Sequence, residues 1–202
     1  MSEVKSIAQL RELYGEPSEK AKNKVLASLD RHSKTLIENS HFVILSTTDA
    51  DGFVDISPKG GTPGFVKALD DATLLVPDSS GNNRLDSLQN ILTNPKVGLL
   101  FMVDGIDEVV RVKGTARISN SPDLMAICPD GSKAPKVVIK VTIESLYFHC
   151  AKAVMRGKLW SGTYKVNRSV LPSLAEIIKE QQELEGEFVS QEEMIGYYES
   201  SL

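Results

Sequence analysis

The sequence predicts a mainly β protein in which helices flank a small antiparallel barrel of six strands. Short apolar runs rich in β-branched residues recur between residues 41 and 148, and hairpin-sized connections join most of them. Strands and helices do not alternate regularly along this stretch, which argues against a doubly wound parallel sheet.

The six strands are predicted from β-rich apolar runs bounded by turn residues. They cover residues 41–48, 53–57, 73–76, 97–103, 109–118 and 137–148. The run Asp49-Ala50-Asp51-Gly52 is typical of a hairpin turn between the first two strands. The last strand alternates apolar and polar residues, so one of its faces is mostly polar. A short helix over residues 85–93 is predicted between the third and fourth strands.

Helices are predicted on both sides of the barrel. A short helix begins after Ser6, and a longer one over residues 18–39 carries a buried stripe of Val25, Leu29, Leu36 and Ile37. After the barrel, a helix is predicted over residues 171–184, and a capping box at Ser190 begins a last one. We therefore divide the chain into N-terminal helices that pack on the barrel (1–40), a barrel domain (41–160) and a C-terminal helical extension (161–202).

The composition is that of an ordinary globular chain. Its 202 residues carry a net charge of −4 and form no basic block, which argues against a nucleic-acid surface. The apolar runs are too short for a membrane span, and the first residues lack the apolar core of a signal peptide. Two cysteines do not make a disulfide framework, so we expect a cytoplasmic protein.

Two polar breaks between strands have the composition of an anion site. The first, residues 55–64, contains Lys59 and a glycine-rich run; the second, residues 77–84, ends in Asn83-Arg84 at the start of the short helix. Backbone N–H groups at a helix start, together with a fixed cation, can hold a phosphate. The first break alone is equally typical of an ordinary turn, and a helix start like the second is more commonly just a capped helix with an exposed arginine. Together the two breaks favour a bound phosphorylated cofactor.

A third polar cluster follows the last strand. Lys152, Arg156 and Trp160 would share one face if this segment were helical, and could then contact a ligand or form a basic helix end. His149 and Cys150 are adjacent, but no other histidine or cysteine stands at a metal-ligand spacing, so no metal site is predicted. A Cys–His catalytic pair is disfavoured as well, since neighbours on a strand point to opposite faces.

Five segments, at residues 47–52, 57–62, 83–84, 94–101 and 110–114, resemble the pyridoxamine 5′-phosphate oxidase-like flavoproteins in order and spacing. These proteins are FMN-binding split barrels, and the resemblance covers roughly residues 36–160. It implies a split barrel here, FMN as cofactor, and a homodimer with the flavin between the subunits. It also implies that the protein is an FMN-dependent oxidoreductase, acting on a small molecule that the sequence does not identify.

The resemblance assigns the cofactor-binding residues by position. Those expected along the flavin ring and ribityl chain are Ser57, Pro58, Lys59, Gly60, Thr62, Val76 and Pro77. Asn83 and Arg84 match the pair that holds the FMN phosphate, with asparagine in place of one cation. Lys152, Arg156 or Trp160 would reach the partner subunit's FMN. Val109 stands where the vitamin-processing oxidases have glutamine, and their C-terminal substrate motif is absent, which argues against pyridoxamine-phosphate oxidation.

No catalytic side chain is assigned, because a flavin itself carries the hydride. The alternative is a non-catalytic protein that binds or carries a flavin, the deazaflavin F420 or haem. F420 has a longer acidic tail, so an F420 site should show further cations beyond Arg84, and a haem site could use His149 as a ligand.

Overall fold

The structure is a computed structural model that describes residues 3–79, 81–129, 134–186 and 189–201. Ser80, which belongs to the second polar break, lies outside the described residues. The chain divides into two compact units, one up to Lys152 and one from Ala153 onward.

The first unit contains short N-terminal helices and a single β-sheet. Its elements are α1 (Ile7–Tyr14), α2 (Glu19–Lys22), α3 (Arg31–Asn39), β1 (Phe42–Thr48), β2 (Val54–Gly60), β3 (Lys67–Asp70), β4 (Thr73–Asp78), α4 (Asp86–Thr93), β5 (Lys96–Val103), β6 (Ile106–Ser119), α5 (Pro122–Ile127) and β7 (Val137–His149). Helix α6 (Lys152–Gly157) follows β7 at the boundary between the units.

All strand pairs are antiparallel, and the strand order is β2-β1-β5-β6-β7-β4-β3. The six predicted strands are present, and the predicted fold class is confirmed. A seventh strand, β3, pairs with β4 at one edge of the sheet, while β2 forms the other edge. Strand β3 was not predicted, because it has only four residues and most of them are exposed, so no apolar run marks it.

The core lies on the inner face of the curved sheet. On β1, Val43 and Leu45 are completely buried, and they alternate with residues that are only partly buried. Phe101 on β5, Val110 on β6 and Val141 on β7 extend the same core. Alternate residues of a strand point to opposite faces, so this pattern gives the sheet an apolar inner face and a more accessible outer face.

The predicted helix over residues 18–39 is wrong in its middle part. Leu26 exchanges two backbone hydrogen bonds of 2.9 Å with Leu146 of β7, which a helical residue could not do. Val25, predicted to be buried, is exposed, whereas the predicted Leu29 is buried. The helical pattern therefore covers two short helices separated by an extended bridge.

Helix α3 begins at the N-cap residue Asp30, whose side chain accepts hydrogen bonds from the backbone N–H and the hydroxyl of Ser33. These bonds lower the pKa of Asp30, because they stabilise the ionised carboxylate. Leu36 and Ile37 enter the core from this helix, as predicted. Helices α1 and α2 bury no residue.

The second unit is helical, as predicted for the end of the chain. After two 3₁₀ turns, Gly162–Tyr164 and Arg168–Val170, it contains α7 (Leu174–Gln182) and α8 (Gln191–Ser201). The predicted capping box before α8 is confirmed: the backbone N–H of Glu193 donates to Ser190 Oγ, and that of Ser190 donates to Glu193 Oε2. Within the described residues, no helix combines the length and the apolar character that a membrane span requires.

The glycine run after β2 serves the packing of the chain. A Cβ on Gly61 would come within 2.7 Å of Phe65, and Gly64 has a φ of +73° with its Cβ position 2.8 Å from the carbonyl oxygen of Glu38. Only glycine adopts such a φ without strain. Gly64 thus lets the chain pass closely against the end of α3, and Gly61 leaves room for the side chain of Phe65, so both glycines are explained by packing alone.

We expect Gly64→Ala to lower the free energy of unfolding by about 1–3 kcal/mol, since it combines a positive φ with a backbone clash. Urea unfolding followed by circular dichroism measures the change. The matched control is Gly162→Ala, whose added Cβ meets nothing within 4 Å and needs no positive φ. Equal stability of the two variants would contradict the account of Gly64.

Candidate functional site

A groove of about 640 Å³ runs between β2 at one edge of the sheet and the end of β4 near the other. The loop before α4 and the first turn of α4 close one side of it. It is lined by two stretches predicted to bind a cofactor, which lie about twenty residues apart in the chain. The predicted residues in its lining are Ser57, Pro58, Lys59, Gly60, Pro77, Asn83 and Arg84.

The first polar break is part of an edge strand. Residues 55–60 belong to β2 and pair with β1, where the sequence suggested a loop beyond residue 57. Asp55, Ser57 and Lys59 lie opposite the inner-facing Thr47, Leu45 and Val43 of β1. Cross-strand partners share a face of the sheet, so β2 extends the apolar inner face of β1 with polar side chains.

The residues at the start of α4 line the groove. Leu85 is the N-cap residue, with a φ of +61°, and its side chain makes no capping hydrogen bond. Asn83 also has a positive φ, of +59°. The first N–H groups of a helix have no partner within the helix, so this end of α4 can donate to an anion.

The Arg84 side chain is 73% exposed and lies beside an acidic residue of the same turn. Its Nε donates a hydrogen bond of 2.8 Å to Asp86 Oδ2. This hydrogen bond and the charge of Asp86 raise the pKa of Arg84, with a further contribution from Asp55. The guanidinium is therefore a permanent positive charge, and its exposure allows it to exchange one anionic partner for another.

Two further polar contacts connect α4 to the sheet. Ser87 Oγ donates to Asp55 Oδ2 at 3.1 Å, and Asn90 Nδ2 donates to Thr47 Oγ1 at 3.0 Å. Ile91 completes this contact by packing into the core. The first turn of α4 is thus fixed against β2, and its position relative to the groove is set by the sheet.

An ion pair between Lys59 and Asp78 lies in the groove. Their side chains are only 21% and 13% exposed. Lys59 is on β2 and Asp78 is on β4, and four strands separate these two in the order of the sheet. The pair therefore connects the two ends of the curved sheet where they face each other.

The remaining predicted residues of the first unit are not part of the groove lining. Val76 is completely buried in the core, and Thr62 is exposed beyond the end of β2. Lys152 is exposed at the start of α6 and does not line the groove. Trp160 belongs to the second unit and lies beyond the end of α6, so the predicted helical face shared by Lys152, Arg156 and Trp160 does not form.

Sequence reasoning assigned no role to several polar residues that line the groove, among them Asp55, Asp78, Asp86, Ser87 and Lys136. The sequence does contain a pattern that could have identified Asp55. Polar residues at 55, 57 and 59 alternate with the less polar Val54, Ile56 and Pro58. That period of two indicates a strand with one polar face. Nothing local in the sequence places Lys136 or Asp78 near β2.

The fold and the groove define the class of the protein, an antiparallel split barrel with a polar groove between the two ends of its sheet. The chain belongs to the pyridoxamine 5′-phosphate oxidase family, whose model matches residues 29–150. No curated protein matches the sequence significantly.

Solved structures of similar fold include a variant of HupZ from Group A Streptococcus. That protein is 22% identical with a TM-score of 0.50, and the match covers 59% of this chain and 98% of HupZ. An FMN-binding protein from Syntrophomonas wolfei is 14% identical with a TM-score of 0.47, over 58% of this chain and 83% of that one. HutZ, the haem storage protein from Vibrio cholerae, is 14% identical with a TM-score of 0.42, over 59% and 93%.

Replacing Lys59 alone with methionine should lower the free energy of unfolding by about 1–3 kcal/mol, because it leaves the largely buried Asp78 carboxylate without its cation. The double variant Lys59→Met/Asp78→Leu should lose less than the sum of the two single variants. Urea unfolding of the four proteins gives the coupling energy. The exposed Arg84–Asp86 pair is the control, and its coupling energy should be smaller. If the effects of the Lys59 and Asp78 substitutions simply add, the ion pair does not stabilise the fold.

Proposed function

We propose that this protein binds FMN in the groove between β2, β4 and α4, and that it is an FMN-dependent oxidoreductase acting on a small molecule. One observation carries the proposal. Seven of the residues to which the family resemblance assigns FMN contacts come from separate parts of the chain, and they line this one groove.

The start of α4 is the proposed phosphate end of the groove. Backbone N–H groups of its first turn, the Asn83 amide and the Arg84 guanidinium would hold the phosphate. The uncapped N-terminus of α4 fits this role, since no side chain of its N-cap residue occupies the donors. Arg84 would exchange its contact with Asp86 for one with the phosphate, which its exposure permits.

The flavin ring would lie along the polar inner face of β2. Ser57 and Lys59 lie on that face, and Gly60 at the end of β2 also lines the groove. A bound flavin supplies hydride transfer. The side chains of the groove would orient the ring and keep water from one of its faces.

The charge of the groove favours a ligand with a single phosphate over one with a long acidic tail. Lys59, Arg84 and Lys136 line it, but so do Asp55, Asp78 and Asp86. An F420 site would need further cations beyond Arg84, and the carboxylates of this groove offset the charges of those that are present. His149 does not line the groove, so haem ligation by this residue would use a different site.

An absorption spectrum of the purified protein, followed by chromatography of whatever heat releases, tests the proposal. Flavin bands and released FMN would support it, and bleaching of the bands by a reduced nicotinamide would support the oxidoreductase part. A protein that neither contains nor takes up FMN would refute the cofactor assignment. A flavin that no donor reduces would favour the carrier alternative.

We expect Arg84→Ala to weaken FMN binding about tenfold to a hundredfold, because a charge-assisted contact to the phosphate is lost. Riboflavin lacks the phosphate, so its binding should change little. Quenching of flavin fluorescence on titration gives both affinities. The matched control is Arg117→Ala, an exposed arginine of β6 outside the groove. An unchanged FMN affinity in Arg84→Ala would contradict the placement of the phosphate.

We also propose that the protein is a homodimer with the flavin close to the subunit interface, as the family resemblance implies. The outer face of β2 supports this proposal: Val54 and Ile56 are 64% and 65% exposed, and they lie opposite Thr48 and Ser46 of β1. Exposed apolar patches of this kind are typical of protein interfaces. In such a dimer, Lys152 or Trp160 would reach the FMN of the partner subunit.

Ile56→Glu should shift the protein from dimer to monomer, because a charge would be buried at the interface. Light scattering after size-exclusion chromatography measures the mass. Ile7→Glu is the control, since Ile7 is similarly exposed but lies on α1. A wild-type monomer, or a dimer unaffected by Ile56→Glu, would contradict this interface.

A further inference from the structure

The two ends of the groove carry different polar groups. At one end, Asp55 accepts a hydrogen bond from Ser87 in the first turn of α4, close to Arg84. At the other, Lys59 forms the ion pair with Asp78. Asp55 and Lys59 are four residues apart on β2, which places them about 13 Å from each other along the strand. If the phosphate lies at the α4 end, the far edge of a ligand as long as FMN lies near Lys59 and Asp78.

The Lys59–Asp78 pair offers a donor and an acceptor side by side. The Lys59 ammonium carries three N–H donors, and the Asp78 carboxylate has room for about four hydrogen bonds, so their mutual contact saturates neither group. Both side chains are largely shielded from water, which strengthens a hydrogen bond to a ligand. Lys59 and Asp78 lie on the inner faces of β2 and β4, so the sheet fixes their positions. Val76, which comes two residues before Asp78, is buried in the core.

We propose that Asp78 and Lys59 together recognise the pyrimidine edge of the flavin. That edge presents a carbonyl oxygen, an N3–H group and a second carbonyl oxygen. Asp78 accepts the N3–H hydrogen, and Lys59 donates to one of the neighbouring carbonyl oxygens. This role rests on the proposed binding of FMN, and it makes Asp78 a specificity-determining residue that the family resemblance does not assign.

The test compares FMN with N3-methyl-FMN, in which a methyl group replaces the N3 hydrogen. We expect the wild-type protein to bind FMN about tenfold to a hundredfold more tightly than N3-methyl-FMN, as for a charge-assisted hydrogen bond. Asp78→Ala should abolish this preference. Asp78→Asn should retain part of it, because the amide oxygen still accepts a hydrogen bond. Fluorescence titration measures the affinities, and circular dichroism checks that each variant is folded.

The ratio of FMN to riboflavin affinity separates the two ends of the groove. Asp78→Ala should leave this ratio unchanged, whereas Arg84→Ala should reduce it. If the wild-type protein binds flavin but does not distinguish N3-methyl-FMN, or if Asp78→Ala keeps the preference, the role of Asp78 is refuted and FMN binding stands. If the wild-type protein binds neither flavin, the proposed function and this inference both fail.

Discussion

The bend in the two long strands determines where the groove can form. The first part of β6 pairs with β5. The last part of β6 pairs with the first part of β7, which also pairs with β4 on its other side. Between these parts, the register of β6 against β7 shifts at Gly114, where an added Cβ would collide with the carbonyl group of Thr142. Such a bulge bends a strand and increases its twist. The bend lets one sheet curve until β2, at one edge, and β4, next to the other edge, face each other across the groove.

Because the groove lies between the ends of the sheet, its charges come from parts of the chain that are far apart in sequence. The described residues of its lining include three carboxylates and three cations. Asp78 accompanies Lys59, and Asp86 accompanies Arg84, so each of these cations is already neutralised by a neighbour. A ligand must compete with these carboxylates, which makes affinity depend on geometry more than on net charge. The arrangement favours a ligand with defined donors and acceptors over any polyanion.

Six of the strands and the short helix α4 could be predicted because their signals are local: a β-rich apolar run in β1, a period of two in β7, and turn residues between the strands. The bridge at Leu26 could not be predicted. The sequence around Leu26 has a helical pattern, and its bridge partner, Leu146, is 120 residues away in the chain. The groove shows the same division. Asn83 and Arg84 could be recognised because they stand at the start of a helix. Asp78 could not, because its role depends on the ion pair with Lys59, and local sequence does not place their two strands side by side.

Pro58 lies within β2, the strand at one edge of the sheet. Proline has no backbone N–H, so it interrupts the row of donors that an edge strand would otherwise offer to another strand. The other edge, β3, is only four residues long and contains an irregular register. Both edges are thereby poor templates for strand addition. Chains of this protein should consequently resist the edge-to-edge polymerisation that leads to fibrils, even though the sheet stays open.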